Sequence, residues 1–206
     1  MENGYYYKVK KMKWEYVNDH IFVSCVLPRR HGDRTADYIC TERYAGNCAI
    51  MKIKLIKPKL DELSFRQKLL ADEDTMSYNH AWGGTIEWPQ HEWEDWYDHW
   101  VINHKNQRFY RYLLDEDIEE YVGEIAYHYD NERNINVANI IILAKFRCKG
   151  YGNIGLNLLC GSAKQNGVDI LYDDIAIDNP SIALFLKNGF IEDYRTMDII
   201  MLKKVL

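Results

Sequence analysis

The chain has 206 residues, of which 47% are hydrophobic and 28% are charged, a composition that excludes a largely disordered protein. Its formal net charge of −5 argues against a general nucleic-acid binder, which needs a basic surface. No apolar run approaches the ~20 residues that cross a bilayer, and the first residues lack the apolar core of a signal peptide. We therefore expect a cytoplasmic protein whose partner is neither a membrane nor a nucleic acid.

The cysteines predict neither a disulfide framework nor a metal site. Their number is odd, and no two of them have the C-x-x-C spacing that zinc sites and redox motifs use. We expect free thiols in a reducing compartment and no bound metal. The five positions are Cys25, Cys40, Cys48, Cys148 and Cys160.

Residues 1–50 differ in pattern from the rest of the chain and are interpreted as an N-terminal extension. They are poor in helix signals and contain short strand-like runs, so the extension is strand-rich or mobile, or else Met51 is the true start. The domain that follows, residues 51–206, is expected to fold and to bind its ligand without the extension. The strand-like runs are Tyr5–Val9, Lys13–Val17 and Ile21–Leu27.

The next part of the chain predicts one strand and two helices. Met51–Ile56 alternates apolar and basic residues, as a half-buried strand does. Asp61–Ala71 has helical spacing, with Asp61 as its cap. Pro89–His104 carries aromatic residues on one helix face, and we favour a core role for this stripe over a ligand box. The stripe consists of Trp93, Trp96, Tyr97 and Trp100.

The second half of the chain alternates between strands and helices. Three strands in succession predict an antiparallel meander. A helix over 152–166 should end at Gly167, and a helix over Pro180–Asn188 has Asn179 as its cap. This order predicts an α/β fold with a mixed sheet and helices on both faces. The strands are Phe109–Leu114, Tyr121–Tyr129, Ile135–Ala144, Ile170–Ile177 and Met197–Leu206.

The turn between the third strand of this meander and the next helix is suited to a pyrophosphate. Gly150 and Gly152 allow close backbone approach, and the helix N-terminus adds partial positive charge. Arg147 and Lys149 add cationic character. A strand-to-helix turn without a ligand has the same pattern, so this signal by itself is weak.

Two motifs together carry a family resemblance. Arg147-x-x-Gly150-x-Gly152 resembles the (Gln/Arg)-x-x-Gly-x-(Gly/Ala) motif of the GNAT superfamily of N-acetyltransferases, and the segment from Asp178 to Phe190 resembles that family's second signature. The resemblance covers about residues 51–206. It implies a GNAT-like fold, with a mixed, mostly antiparallel sheet and helices on both faces.

The resemblance implies acetyl-CoA as the cosubstrate. The backbone of Ile142, Leu143 and Ala144 would pair with the pantetheine arm, and the Leu143 amide would serve as an oxyanion donor. Asn179 and Phe185 would flank the thiol end. The pyrophosphate would be held by Arg147, Cys148, Lys149, Gly150, Tyr151 and Gly152.

The chain departs from the family pattern at two positions. Cys148 stands where the family usually has glycine, which brings the φ angle of the turn into question. Phe185 stands where many relatives carry the tyrosine that donates a proton to the leaving thiolate. Phe185 has no proton to donate, so that role must fall to another group or to water.

Acetyl transfer to an amine needs a base, because an alkyl ammonium has a pKa near ~10. Our candidates are Glu124 and the adjacent pair Asp173 and Asp174, which lies in an apolar strand. The alternative for Glu124 is a solvated or ion-paired carboxylate. His128, which alternates away from Tyr127, is expected to be a satisfied surface histidine.

The acceptor is expected to be a small cationic amine. The segment between Leu69 and His104 contains no Lys or Arg and five of the six tryptophans, a composition that can attract a cation but also fits a solvated helix with an aromatic core face. A protein or peptide substrate and a catalytically silent acyl-CoA sensor remain alternatives, and a homodimer is left open. The candidate substrate-binding residues are Trp82, Glu87, Trp88 and Tyr127.

Overall fold

The computed structural model describes residues 11–17, 20–26, 51–105 and 107–206, with only the backbone for 11–17, 20–26 and 81–82. The chain divides into two compact units. One comprises residues 1–54 with Asp115–Glu119, and the other comprises Leu55–Leu114 with Glu120–Leu206. Within the described residues, no helix is long and apolar enough to span a bilayer.

The first unit contains an antiparallel hairpin of strands β1 (Lys11–Val17) and β2 (His20–Val26). Two of the three strand-like runs in the extension are thus confirmed as strands, with small shifts of their ends. The run at Tyr5–Val9 lies outside the described residues.

Seven strands form the main sheet, in the order β3-β4-β5-β6-β7-β9-β8. The only described parallel pair is β6 with β7, and β5/β6, β7/β9 and β8/β9 are antiparallel. This confirms the mixed, mostly antiparallel α/β sheet. The strands are β3 (Ile53–Ile56), β4 (Arg108–Asp115), β5 (Glu120–Asp130), β6 (Ile135–Ile142), β7 (Ile170–Ala176), β8 (Ile191–Arg195) and β9 (Ile199–Val205).

Strand β8 was not predicted from the sequence. All five of its residues are exposed, so it lacks the apolar alternation that marks a half-buried strand. Its pairing with β9 along the sheet edge, which includes an irregularity between Glu192 and Tyr194, supplies its structure.

The helices are α1 (Ser64–Ala71), α2 (Glu73–Met76), α3 (Trp93–Tyr97), α4 (Tyr151–Gln165) and α5 (Ile182–Lys187). The expected cap at Asp61 is wrong, because a 3₁₀ turn over Leu60–Leu63 precedes α1 and the Glu62 carboxylate accepts the Lys59 amide at 2.7 Å.

The helix expected over Pro89–His104 is divided into three short pieces. A 3₁₀ turn, Gln90–Glu92, leads into α3, and a wider π-helical turn, Asp98–Ile102, follows. The aromatic stripe packs as expected for a core, since the Trp96 ring stacks on Trp100 at 5.8 Å between centroids and contacts Tyr110 edge-on at 4.8 Å. Packing of these large rings on the sheet overrides the regular helix that their spacing favours.

The sheet has a core on each face, because successive strand residues point to opposite sides. Helix α4 packs on the face of Ile140, and a Cβ at Gly155 would come within 2.9 Å of the Ile140 Cδ1 atom, so glycine permits this close approach without displacing that side chain. The face of Ile141 is covered by a cluster that includes Leu69, Met76 and Trp93.

Candidate active site

Strands β6 and β7 separate along their length and leave a cleft between them. Their parallel pairing ends at Val137↔Tyr172, yet β6 continues to Ile142 and β7 to Ala176. The cleft has a volume of about 370 Å³, within the range of small-molecule sites. Its walls include Tyr78, Asn79, Trp100, His128, residues 137–140, residues 173–176, Asn179, Ser181 and Phe185.

The backbone of β6 faces the cleft in a fixed alternation. The Leu143 amide donates to the Val122 carbonyl at 3.0 Å, so Leu143 and the alternate residues before it face β5. In an antiparallel pair the intervening residues direct their amides the other way, which turns the amides of Ile140 and Ile142 toward the cleft. The expected oxyanion donor at Leu143 is therefore wrong, because that amide is already bonded to β5.

The Ala144 amide is engaged as well, since it donates to the Thr75 hydroxyl at 2.9 Å. Thr75 is fully buried on α2, and its hydroxyl ties that helix to the end of β6. Of the three residues expected to pair with a cofactor arm, only Ile142 directs its amide to the cleft. Nothing in the sequence pattern around Thr75 signalled this contact.

The loop between β6 and α4 has the backbone geometry of an anion-binding turn. Cys148 and Gly150 have φ angles of +59° and +101°, and α4 begins immediately afterwards at Tyr151. No described backbone carbonyl accepts from the amides of Cys148, Lys149 or Gly150. Because a helix N-terminus adds partial positive charge, this loop can receive the phosphate groups of a ligand.

The structure gives separate reasons for a small residue at Cys148 and at Gly152 of this loop. The positive φ at Cys148 is a conformation that favours glycine, and the exposed thiol is accommodated there at a cost of roughly 1 kcal/mol. A Cβ at Gly152 would lie 3.1 Å from the Leu184 Cδ2 atom, so glycine lets α4 approach α5 closely.

The Arg147 side chain does not extend freely toward the loop. Its guanidinium donates to the backbone carbonyls of Ile142 at 3.3 Å and Asp74 at 3.1 Å, and also to that of Thr75. Arg147 therefore fastens the loop to α2, and its main effect on a bound anion would come from its charge.

The other side chains of the loop pack around one ring. The Lys149 Nζ atom lies 5.5 Å from the centroid of the Phe146 ring, and the buried Tyr151 ring meets Phe146 edge-on at 5.5 Å. A ligand would therefore meet the backbone of Tyr151, whose ring belongs to the core.

Asn179 and Phe185 form the wall on the side of α5. The Asn179 side-chain oxygen accepts the Ser181 amide at 2.9 Å, which holds the turn before α5 begins at Ile182. Phe185 is buried and packs edge-on against Phe190 at 4.9 Å. The ring offers an apolar surface and no proton.

Asp173 and Asp174 both line the cleft but differ in their partners. The Asp174 carboxylate forms an ion pair with Arg133 at 2.9 Å. Asp173 has no hydrogen bond or ion pair within the described residues, and burial, together with the neighbouring Asp174 charge, raises its pKa well above the usual range. A carboxyl in this state is neutral over a wider pH range than an ordinary aspartate, so it can donate a proton.

Glu124 lies outside the cleft, in a buried ionic cluster. It is 2% exposed, pairs with Arg66 of α1 through one oxygen and accepts the Tyr110 hydroxyl through the other. The Arg66 guanidinium lies 5.3 Å from the Trp88 ring centroid and 4.8 Å from that of Trp96. The ion-paired alternative for Glu124 is the one that these contacts favour.

The predicted substrate-binding residues do not share one site in the described structure. Trp88 is buried against Arg66, and Glu87 is exposed. Tyr127 accepts a hydrogen bond from Asn166 at 2.9 Å on the α4 face of the sheet and does not line the cleft. The Trp82 side chain lies outside the described atoms.

Two cleft residues were not identified by sequence reasoning. Burial raises the pKa of Tyr78, so its hydroxyl stays protonated. His128 is half-buried, and burial and the Arg108 charge lower its pKa, so its imidazole is neutral near pH 7. The alternation away from Tyr127 was the available signal for His128, but the separation of β6 from β7 that opens beside it has no local motif.

Comparison with known proteins identifies the same family that the sequence motifs resemble, over more than half of the chain. A family model described as the acetyltransferase (GNAT) family matches residues 70–190. No curated protein matches the sequence.

Several solved structures share the fold at low sequence identity. Spermidine N-acetyltransferase from Vibrio cholerae, solved with CoA and spermine, is 20% identical, with a TM-score of 0.62 over 74% of this chain and 95% of that one. A microcin C7 self-immunity acetyltransferase, solved with acetyl-CoA and AMP, is 16% identical, with a TM-score of 0.58 over 75% and 92%. The GNAT domain of S. lividans PAT is 9% identical, with a TM-score of 0.62 over 77% and 92%.

The family match covers more than half of the sequence. It agrees with two features of the structure, the divergence of β6 from β7 and the turn at the start of α4. The chain belongs to the GNAT family of acetyltransferases.

Proposed function

We propose that this protein transfers an acetyl group from acetyl-CoA to the primary amine of a small cationic molecule. The observation that carries the proposal is the cleft between β6 and β7, with an amide-rich turn at the start of α4. Acetyl-CoA supplies an activated thioester. The chain has to bind and orient it, bring an amine alongside and move protons.

The residues of the cleft fit such a cosubstrate. The amides of Ile140 and Ile142 face the space between the strands and can bond an extended polar arm, as a further strand would. The turn amides of Cys148, Lys149 and Gly150 are suited to a pyrophosphate. Asn179 and Phe185 flank the same space from the side of α5.

We propose His128 as the base that accepts the proton of the amine. Its imidazole lines the cleft and is neutral near pH 7, as proton abstraction from an ammonium requires. This revises our expectation of a satisfied surface histidine. Glu124 is the weaker candidate, since Arg66 and Tyr110 engage both of its oxygens.

Protonation of the leaving thiolate is assigned to Asp173 or Tyr78. Both groups line the cleft, and burial raises the pKa of both, which favours their protonated forms. Either group could supply the proton that Phe185 lacks.

The preference for a cationic amine is supported by the charge at the cleft. Asp174 places a partly exposed carboxylate there, and the segment that contributes Tyr78 and Trp100 has no Lys or Arg between residues 69 and 104. The presence of spermine in the structure of the Vibrio cholerae relative is consistent with a polyamine as acceptor.

The test is release of CoA thiol from acetyl-CoA with a panel of polyamines, aminoglycosides, amino acids and peptides. We expect turnover with a small polyamine and a kcat for His128→Gln that is lower by roughly 10²–10⁴-fold, with CoA binding retained. His91→Gln, at an exposed position outside the cleft, is the matched control.

The alternatives predict different results. Turnover with peptides alone would favour a protein acetyltransferase, and CoA binding without turnover on any acceptor would favour a silent sensor. Full activity of His128→Gln would exclude His128 as the base.

A further inference from the structure

A second cavity lies beside the first residues of β4 and the C-terminal end of α4. It has a volume of about 370 Å³, and its lining includes Arg108, Arg111 and Asn166. The phosphate loop, the turn of residues 147–150 that we propose to hold the pyrophosphate, lies at the other end of α4. The 15 residues of α4 span about 22 Å. This cavity is therefore separate from the proposed pyrophosphate site.

The cavity is lined by basic side chains and by no acidic ones. Lys57, His104, Arg108 and Arg111 line it, and no Asp or Glu is among its lining residues. Within the described residues, Lys57 and Arg108 form no ion pair with a carboxylate, although the chain as a whole has a net charge of −5. A concentration of positive charge on an acidic protein points to an anionic ligand.

Aromatic rings hold the two arginines in place. The Arg108 guanidinium carbon lies 5.6 Å from the Trp100 ring centroid, and that of Arg111 lies 4.7 Å from the Phe109 ring centroid. The cation–π contact of Arg108 fixes its planar group and leaves N–H donors for bidentate bonds to phosphate or carboxylate, whereas an Arg111 N–H group already donates to the Tyr110 carbonyl at 2.7 Å. The Phe109 ring also stacks on Tyr127 at 5.5 Å between centroids. The ring that contacts Arg111 is therefore itself held by a neighbouring ring.

The helix end in the cavity does not cancel this charge. The C-terminus of α4, at Gln165 and Asn166, carries a partial charge of about −0.5. Lys57, Arg108 and Arg111 together bring three full positive charges to the same space. The Asn166 side chain donates to the Tyr127 hydroxyl at 2.9 Å, so this corner of the cavity is ordered by a hydrogen bond.

We propose that this cavity binds a small polyanion, a molecule with two or more phosphate or carboxylate groups, and that Arg108 is its principal contact. The cavity volume is at the lower end of the range for ligand sites, which suits a compact anion. The cavity adjoins the cleft, since Trp100 lines both, but the proposal does not depend on the identity of the amine.

The test is calorimetric titration of the full chain, saturated with CoA, with pyrophosphate and separately with citrate at constant ionic strength. CoA is included so that the phosphate loop is occupied. We expect one of the two anions to bind and Arg108→Ala to weaken its Kd at least tenfold. Arg108→Lys, which keeps the charge without the planar fork, should fall in between.

Lys68→Ala is the matched control, because it removes one positive charge from an exposed position on α1 outside the cavity. Its Kd should stay within twofold of the wild-type value. If Arg108→Ala no longer binds CoA, Lys57→Ala replaces it, with at least a threefold loss of anion affinity expected.

The relative affinities for pyrophosphate and citrate distinguish a phosphate ligand from a carboxylate ligand. Failure of both anions to bind the CoA-saturated protein would overturn the proposal. Equal anion affinity in wild type and in a folded cavity variant would overturn it as well.

Discussion

Two carboxyl groups on the central strands of the same sheet have opposite surroundings. Glu124 on β5 is buried with a guanidinium and a phenol on its two oxygens. Asp173 on β7 faces the cleft without a described partner, and its pKa is raised by burial and by the Asp174 charge. The first group is engaged by partners on both oxygens, and the second has a raised pKa that favours its protonated form beside the cleft.

This difference shows that residue type and strand position do not set the role of an acid. Both residues lie in predicted strands, and the sequence made both of them candidates for the base. Their roles separate because α1 brings Arg66 to Glu124, whereas the divergence of β6 from β7 leaves Asp173 beside an open space. Electrostatic partners that come from distant elements decide between the two.

The largest effect is expected from breaking the buried ion pair. Glu124→Gln leaves the Arg66 guanidinium buried without its counter-charge, which should cost about 3–5 kcal/mol of unfolding free energy. Urea denaturation measures this loss. If Glu124 is instead the catalytic base, the variant would keep its stability and lose kcat, which would reverse our comparison.

A double variant serves as the control for this prediction. Arg66→Met combined with Glu124→Leu removes both charges and fills the space with apolar groups. Because replacing a whole buried pair is often neutral, the double variant should be more stable than Glu124→Gln alone. A double variant that is no more stable would mean that the pair itself contributes most of the stability.

Asp173→Asn should change the pH dependence of stability. Its folded-state pKa lies above the unfolded value of about 3.9, so its stabilising contribution is complete below that value and is lost as pH rises toward the folded pKa. Wild type should therefore lose up to about 1.4 kcal/mol per pH unit relative to Asp173→Asn in that interval. Urea denaturation of both proteins at pH 5 and pH 8 measures the difference.

The comparison with Asn isolates the group of interest, since other titrating residues contribute equally to both proteins. A difference between the two proteins that stays constant from pH 5 to pH 8 would show that the Asp173 carboxyl is not shifted. In that case the contrast with Glu124 would reduce to burial alone.

The smallest effect is expected at Asp174. Its ion pair with Arg133 is partly exposed on both sides, and exposed pairs contribute less than about 1 kcal/mol. Asp174→Asn should unfold within 1 kcal/mol of wild type, and the KM for a polyamine should rise because a carboxylate at the cleft is lost. An unchanged KM would remove Asp174 from the acceptor site.

Most of the secondary structure could be predicted because it depends on local pattern. Helix α4 lies within one residue of its predicted bounds, with Leu156, Leu159 and Ala163 fully buried on its apolar side, and the meander strands are within two residues of their predicted ends. The exceptions depend on contacts between distant segments. Strand β8 has no apolar side to detect, and the long aromatic helix is interrupted where its rings pack on the sheet.

Only part of the candidate site could be predicted from local sequence pattern. The glycine-rich turn has a local signature because Gly150 needs a positive φ and Gly152 needs space beside α5. Tyr78 and His128 have no such signature, since they meet only after residues 50 apart in sequence pack around one cleft. The donor at Leu143 was misassigned because hydrogen-bond alternation depends on the register with β5.

The sequence by itself determined the family, most of the element order and the glycine-containing turn before α4, because these depend on backbone preferences and on the spacing of neighbouring residues. Only the tertiary structure decided which acid is paired, which amides face the cleft and which cations gather at the second cavity. Those properties arise from contacts between distant segments, and the charge state of a side chain follows its partners and its burial rather than its place in the chain.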